Sequence, residues 1–184
     1  RDLRGIYLGG NYVRETWETT LDRMYVRGMN AVVLDSKDYM GPVVYPSKVP
    51  LAVEMGATKR APIRDLARTI RFAHRKGIRM ILRISCFHDP FTQEHAPRLS
   101  LKFKNGKPAD YDWLDPTNEE VHQYIVDLAK EGMDAGADEI QLDYVRFPVQ
   151  DGLKWIDLPP HGVGRTHLIR DFVRKVHAVT KPRG

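Results

Sequence analysis

The sequence predicts an α/β protein of the parallel (β/α) TIM-barrel type, represented by its N-terminal four βα units, a half barrel. Three observations carry that expectation. Short apolar runs of strand length alternate four times with amphipathic stretches of helical period. Gly28, Gly77 and Gly136 stand where the first three helices should end. All four strands place polar or aromatic groups on one and the same face. Such alternation implies right-handed crossovers and a parallel sheet. The 184 residues fall short of the about 250 usual for a complete barrel. A fifth strand is expected where the chain stops at Gly184. Residues 1–184 are therefore expected to form a single domain, the N-terminal part of a barrel, that self-associates or pairs with a missing C-terminal half. A small open α/β sheet, complete as it stands, is the rival.

The first strand is read at Gly5–Gly10, followed by a helix from Thr16 to Arg27 with Trp17, Leu21, Met24 and Tyr25 near helical spacing. Ala31–Asp35 is the second strand. The segment Gly41–Pro50 is rich in proline and glycine and reads as irregular. A second helix is expected from Pro62 to Lys76, with Ile63, Leu66, Ala67, Ile70 and Ala73 as its apolar stripe. The third strand covers Arg79–Ser85 and runs on to Phe87. A polar loop spans His88 to Pro116. Thr117, with Glu120 three residues on, predicts a capping box for a helix lined by Val121, Tyr124, Ile125, Leu128 and Met133. Glu139–Val145 is the fourth strand. After Pro159 and Pro160 a last helix runs from Thr166 to Thr180.

Composition excludes several function classes. With 42% apolar and 29% charged residues the chain is globular rather than disordered. No apolar run approaches the about 20 residues of a membrane span. The single cysteine, Cys86, excludes an intrachain disulfide and a four-cysteine zinc site. The net charge is +5, but the basic residues are dispersed without a block of five, so nucleic acid is not the expected partner. Neither dinucleotide-binding nor phosphate-loop glycine motifs occur, nor a serine-hydrolase elbow, nor a closely spaced histidine pair. No cofactor and no metal are implied. His74, His122 and His177 lie on predicted helices and read as solvated. One cysteine leaves the compartment open, with an extracellular or envelope location favoured.

Strand alternation sorts the side chains. Ile6, Leu8, Val32, Leu34, Met80, Leu82, Ile84, Cys86, Ile140 and Leu142 should face the helices. The opposite face should carry Tyr7, Asp35, Lys37, Arg83, Ser85, Gln141 and Asp143. Most of these lie toward the C-terminal ends of their strands, where barrel enzymes keep their sites. Asp143 is the sharpest candidate. Beside a guanidinium such as Arg83 it stays ionised, fit to act as a nucleophile or to stabilise an oxocarbenium-like cation. Asp35 is the second inward carboxylate. A purely structural network, Arg83 with Asp143 and Lys37 with Asp35, is the competing account. Lys37 as a Schiff-base lysine is a further alternative. Tyr7, Lys37, Asp38, Arg83, His88, Gln141, Tyr144 and Arg146 are the candidate substrate-binding residues. Tyr39, Tyr45, Phe87, Trp113 and Trp155 fall in the strand-to-helix loops, where they either pack on sugar rings or anchor the loops.

Several segments resemble a bacterial glycoside-hydrolase family, long catalogued as a domain of unknown function and described as alpha-amylase-like. They are Arg4-Gly-Ile-Tyr-Leu8, Asn30-Ala-Val-Val-Leu-Asp-Ser-Lys-Asp38, Val44-Tyr-Pro-Ser-Lys-Val-Pro50, Trp113-Leu-Asp-Pro116 and Asp138-Glu-Ile-Gln-Leu-Asp-Tyr-Val-Arg-Phe-Pro148. The resemblance covers nearly the whole chain and implies a TIM-type barrel acting on carbohydrate. Two positions depart from better-known barrels. Gln141 stands where amylase-type barrels carry an arginine, and Val145 where chitinase-type barrels carry a glutamate. In amylase-like barrels the proton donor comes from the fifth strand. The expectation is a glycosidase with catalytic carboxylates at Asp143 and Asp35, in which these residues by themselves lack the donor. A carbohydrate-binding barrel without hydrolysis is the alternative.

Overall fold

A computed structural model of the protein describes residues 2–14, 16–149, 153–159 and 162–181. Pro160 and Gly184 lie outside the described residues. Four strands, β1 (Gly5–Leu8), β2 (Ala31–Lys37), β3 (Arg79–Ser85) and β4 (Glu139–Asp143), form one parallel sheet in the order β1-β2-β3-β4. The helices are α1 (Trp17–Val26), α2 (Pro50–Met55), α3 (Leu66–Arg75), α4 (Pro90–His95), α5 (Glu119–Asp134) and α6 (Val163–Thr180). The predicted helix-facing parity holds. Val32, Leu34, Met80, Leu82, Ile84 and Cys86 are completely buried in the core between sheet and helices. The opposite face of the sheet stays open, with Tyr7, Glu139 and Gln141 exposed. Among the described residues β1 and β4 are each paired along one edge.

Local chemistry moves several predicted boundaries. β1 ends at Leu8, and Gly10–Val13 form a 3-10 turn. The segment after Gly41 is not wholly irregular: Pro50 opens α2, where its missing N–H costs nothing. α3 starts at Leu66 rather than Pro62, because the Asp65 carboxylate accepts the Arg68 N–H at 2.8 Å and caps it there. The predicted polar loop from His88 contains α4, capped by Asp89 with Pro90 at its first position. The Thr117 capping box does not form. Asn118 caps α5 by accepting the Glu120 N–H at 2.8 Å, while the Thr117 hydroxyl donates to Asp115 at 2.7 Å. β4 stops at Asp143 because Tyr144 turns into the left-handed region with φ of 52°. α6 begins at Val163, one turn before the expected start. His122 is not solvated: it is buried, and its Nε2 sits 2.7 Å from the Pro116 carbonyl.

One departure reverses a side chain. Asp35 pairs with Arg83, but Lys37 pairs with Ile84, so the register shifts between them. The extra residue turns Lys37 away from Asp35 and onto the helix side. Its Nζ lies 6.0 Å from the Tyr124 ring of α5. It pairs with Asp89 at 2.8 Å, both side chains being fully buried, and donates to the Ser85 carbonyl at 2.8 Å. Asp89 also accepts the Thr92 N–H and hydroxyl at 2.7 and 2.6 Å. Gly41 permits this packing. A Cβ there would meet Asp89 Oδ1 at 2.0 Å, and its φ is 105°.

A buried pair of this kind is costly to break from one side. Lys37→Met, which leaves the Asp89 charge unpaired, is expected to lower unfolding stability by about 3–5 kcal/mol. Joint replacement with Asp89→Asn should recover part of that loss. Urea denaturation of the three proteins measures both.

Candidate functional site

The open face of the sheet carries a chain of polar contacts across all four strands. Tyr7 on β1 donates its hydroxyl to Asp35 Oδ2 at 2.5 Å. Arg83 on β3 reaches Asp35 Oδ1 through Nη1 at 2.7 Å. The same guanidinium reaches Asp143 Oδ2 through Nε at 2.9 Å and Nη2 at 2.6 Å. Its Cζ lies 5.5 Å from the Tyr7 ring centroid. Gln141 is in register with Arg83 and exposed on the same face. The structure thus brings together Tyr7, Asp35, Arg83, Gln141 and Asp143.

The two carboxylates are not equivalent. Asp35 is 1% exposed and spends one oxygen on Arg83 and the other on Tyr7. It is a buried anchor, closed to a ligand, which corrects its expected catalytic place. The Asp143 side chain is 42% exposed at the C-terminal end of β4. Burial pushes its carboxyl up, but the Arg83 hydrogen bonds, the Tyr144 N–H and the Arg146 charge outweigh this and hold it below its ordinary value. Burial also opposes the charge of Arg83, and its hydrogen bonds to Asp35 and Asp143 more than compensate. The Tyr7 hydroxyl is pushed up to about 12 by burial and then by the bond to Asp35. It therefore holds its proton on the Asp35 side.

Lys37 does not belong to this face. Its amine is sealed against Asp89, so it offers neither a substrate contact nor a Schiff-base nucleophile. The predicted Lys37–Asp35 pair is absent for the same reason. Ser85, expected inward, is buried and donates to the His88 carbonyl at 2.8 Å. Asp38 sits half-buried in the turn after β2, where its Oδ1 accepts the Met40 N–H at 2.8 Å. Its charge helps raise the Tyr7 pKa. Cys86 is a core thiol whose pKa burial pushes up to about 12, too high for a nucleophile.

Beside Asp143, the loops after β3 and β4 build an aromatic cluster. The His88 ring lies 5.0 Å from Tyr144 and 5.5 Å, edge-on, from Trp113. The Arg146 guanidinium stands 4.6 Å over Trp113 and 5.9 Å from Tyr144. His88 Nδ1 bonds the Tyr39 carbonyl at 2.9 Å. The left-handed Tyr144 is what turns its ring onto this cluster, a conformation costing about 1–3 kcal/mol. His88, Trp113, Tyr144, Arg146 and Val149 line a cavity of about 330 Å³. Sequence reasoning places Trp113 only among loop aromatics. Its signal was the Trp113-Leu-Asp-Pro116 motif, but its cavity partners come from other loops. Among the described residues no group of three or more His, Cys, Asp or Glu side chains is arranged to hold a metal ion.

Residues 5–184 match a protein-family profile described as a putative glycosyl hydrolase domain. No curated protein sequence matches the chain significantly. Among solved structures, a hypothetical protein from Ruminiclostridium thermocellum ATCC 27405 is 32% identical, with a TM-score of 0.82 over 94% of this chain and 91% of that one. A maltogenic alpha-amylase from Thermotoga neapolitana is similar at 15% identity and TM-score 0.60, over 98% of this chain and 43% of the amylase. The Flavobacterium johnsoniae chitobiase is similar at 16% identity and TM-score 0.70, over 99% of this chain and 30% of the chitobiase. The last two likenesses show the fold. The chain spans less than half the length of these glycosidases, as a partial TIM-type barrel does.

Because Asp143 is ionised through Arg83, its titration reports that contact. The folded pKa lies below the unfolded one, so its stabilising contribution is full above about pH 4 and is lost as pH falls through the folded value. Arg83→Lys keeps the charge but cannot hold two carboxylates in one plane. The Asp143 carboxyl resonance is expected to titrate at a higher pH in that variant. An unchanged midpoint would count against the assignment.

Proposed function

The chain belongs to the family of the putative glycosyl hydrolase domain, and on that premise we propose that it supplies the stabilising half of a glycoside hydrolase active site, with Asp143 as the carboxylate that faces the sugar. One observation carries the reading: the carboxylate chain across the open face ends in a single exposed, ionised member, at the C-terminal edge of the sheet and beside an aromatic cavity. An ionised carboxylate there stabilises an oxocarbenium-like transition state or attacks the anomeric carbon. Asp35 acts through Arg83, as a positioning residue. Tyr144 and His88, backed by the buried Trp113, offer ring faces for the apolar face of a sugar, and Arg146, Asp38 and Gln141 offer polar groups for its hydroxyls. Tyr7, with its ring exposed on the open face, borders the same surface.

Both hydrolytic geometries need a second carboxyl, about 5–5.5 Å away for retention or about 6.5–9.5 Å for inversion. Asp35 cannot serve, since its side chain is 1% exposed and enclosed by Arg83 and Tyr7. We assign the proton donor to a strand added beyond β4, from a longer polypeptide or an associated copy.

Asp143→Asn in a hydrolytically active polypeptide that contains these residues is expected to reduce kcat on its polysaccharide by at least about 10²–10³-fold, with little change in KM. Full activity in this variant would remove Asp143 from the chemistry. Glycan binding without turnover by the longer polypeptide would favour a carbohydrate-binding barrel instead. Tyr144→Ala is expected to weaken oligosaccharide binding by up to about tenfold, by calorimetry.

A further inference from the structure

A larger cavity, of about 710 Å³, opens between the N-terminal ends of α1 and α3. It shares no lining residue with the cavity beside Asp143. In parallel βα units the helix N-termini lie at the C-terminal ends of the strands. The cavity therefore opens at the same end of the sheet as Asp143, on its β1–β2 side.

Its floor is apolar and its rim is cationic. Trp17 and Ile63 are buried there. The Trp17 indole N–H is spent on the Thr69 carbonyl at 3.2 Å. Arg14, Arg64 and Arg68 are exposed around it. Among the described residues none of these three guanidiniums makes an ion pair or a side-chain hydrogen bond. Two acids, Asp65 and Glu18, also line the cavity, so the arginines leave it only modestly positive, and Asp65 is oriented away by capping the Arg68 N–H at the start of α3. On the flank, Arg75 stands 4.6 Å over the Phe72 ring and adds positive charge.

We infer that this cavity is a second glycan subsite, taking a carboxylate-bearing sugar of an acidic polysaccharide. The volume suits a ring rather than a bare ion. The apolar floor suits a sugar face, and the free planar guanidiniums match a carboxylate in two-point contact. That the anion is carried by a sugar rests on the hydrolase reading above. That the ligand is anionic rests on the arginines alone.

Calorimetry with trigalacturonate and with maltotriose separates the two readings. Trigalacturonate is expected to bind the protein, to weaken as NaCl is raised, and to lose at least about tenfold in affinity in Arg64→Gln/Arg68→Gln. Both substituted side chains are exposed, and circular dichroism checks that the variant is folded. Calorimetry reads binding without turnover, so failure of the Asp143 proposal leaves this one standing. Equal affinity in the double variant and the parent would overturn the subsite. So would inorganic phosphate displacing trigalacturonate at equal concentration, which would assign the arginines to a free oxyanion.

Discussion

β2 carries Asp35 and Lys37 two positions apart, and a regular strand would put both on one face. The register shift between them does not allow it. Asp35 faces the open side and binds Arg83 and Tyr7, while Lys37 turns to the helices and binds Asp89. Opposite charges that would have neutralised each other are each given a partner on a different strand or loop. The Lys37–Asp89 pair joins β2 to the start of α4, and the Ser85 hydroxyl holds the His88 carbonyl next to it. The loop that brings His88 to the site is therefore tied to the same residue that leaves Asp35 free for Arg83.

Arg83 then sets the electrostatics of the open face. A guanidinium serves two carboxylates at once because its donors lie in a rigid planar fork. One carboxylate, Asp35, is completely enclosed, and this fixes the guanidinium in place. The other, Asp143, stays partly in water, where it is held ionised and accessible. The buried member is costly on its own and is satisfied only in company. The exposed member gains orientation from it.

The loops are fixed by equally specific contacts. Glu131 on α5 accepts the Tyr45 and Ser47 hydroxyls at 2.9 and 2.6 Å and the Lys48 N–H at 2.7 Å. That clamp holds the segment between β2 and α2 against a helix far along the chain. At the other end of the site, the left-handed Tyr144 follows Asp143 directly, so strand termination and the placing of an aromatic ring are one event. The arginine-rimmed cavity at the α1–α3 side lies at the same end of the sheet as Asp143.

The amino-acid sequence by itself determined the four βα units, the helix-facing residues and the polar face with Tyr7, Arg83, Gln141 and Asp143. Period-2 and period-3.6 patterns are local, and burial of one face enforces them. The helix-ending glycines were legible for the same reason: Gly28 and Gly77 adopt φ of 69° and 68°. Only the tertiary structure decided where Lys37 points, since a one-residue shift reverses a side chain without leaving a mark in composition. It decided that Asp35 is sealed and Asp143 open, because exposure depends on what neighbouring strands place over a carboxylate. Trp113, Tyr144 and Arg146 met His88 through loops whose spacing in sequence says nothing of their distance in space. Short helices such as α2 and α4 escaped notice because six residues are too few to display a period. Local patterns thus specify the scaffold, while the site is made by long-range contacts that the pattern cannot encode.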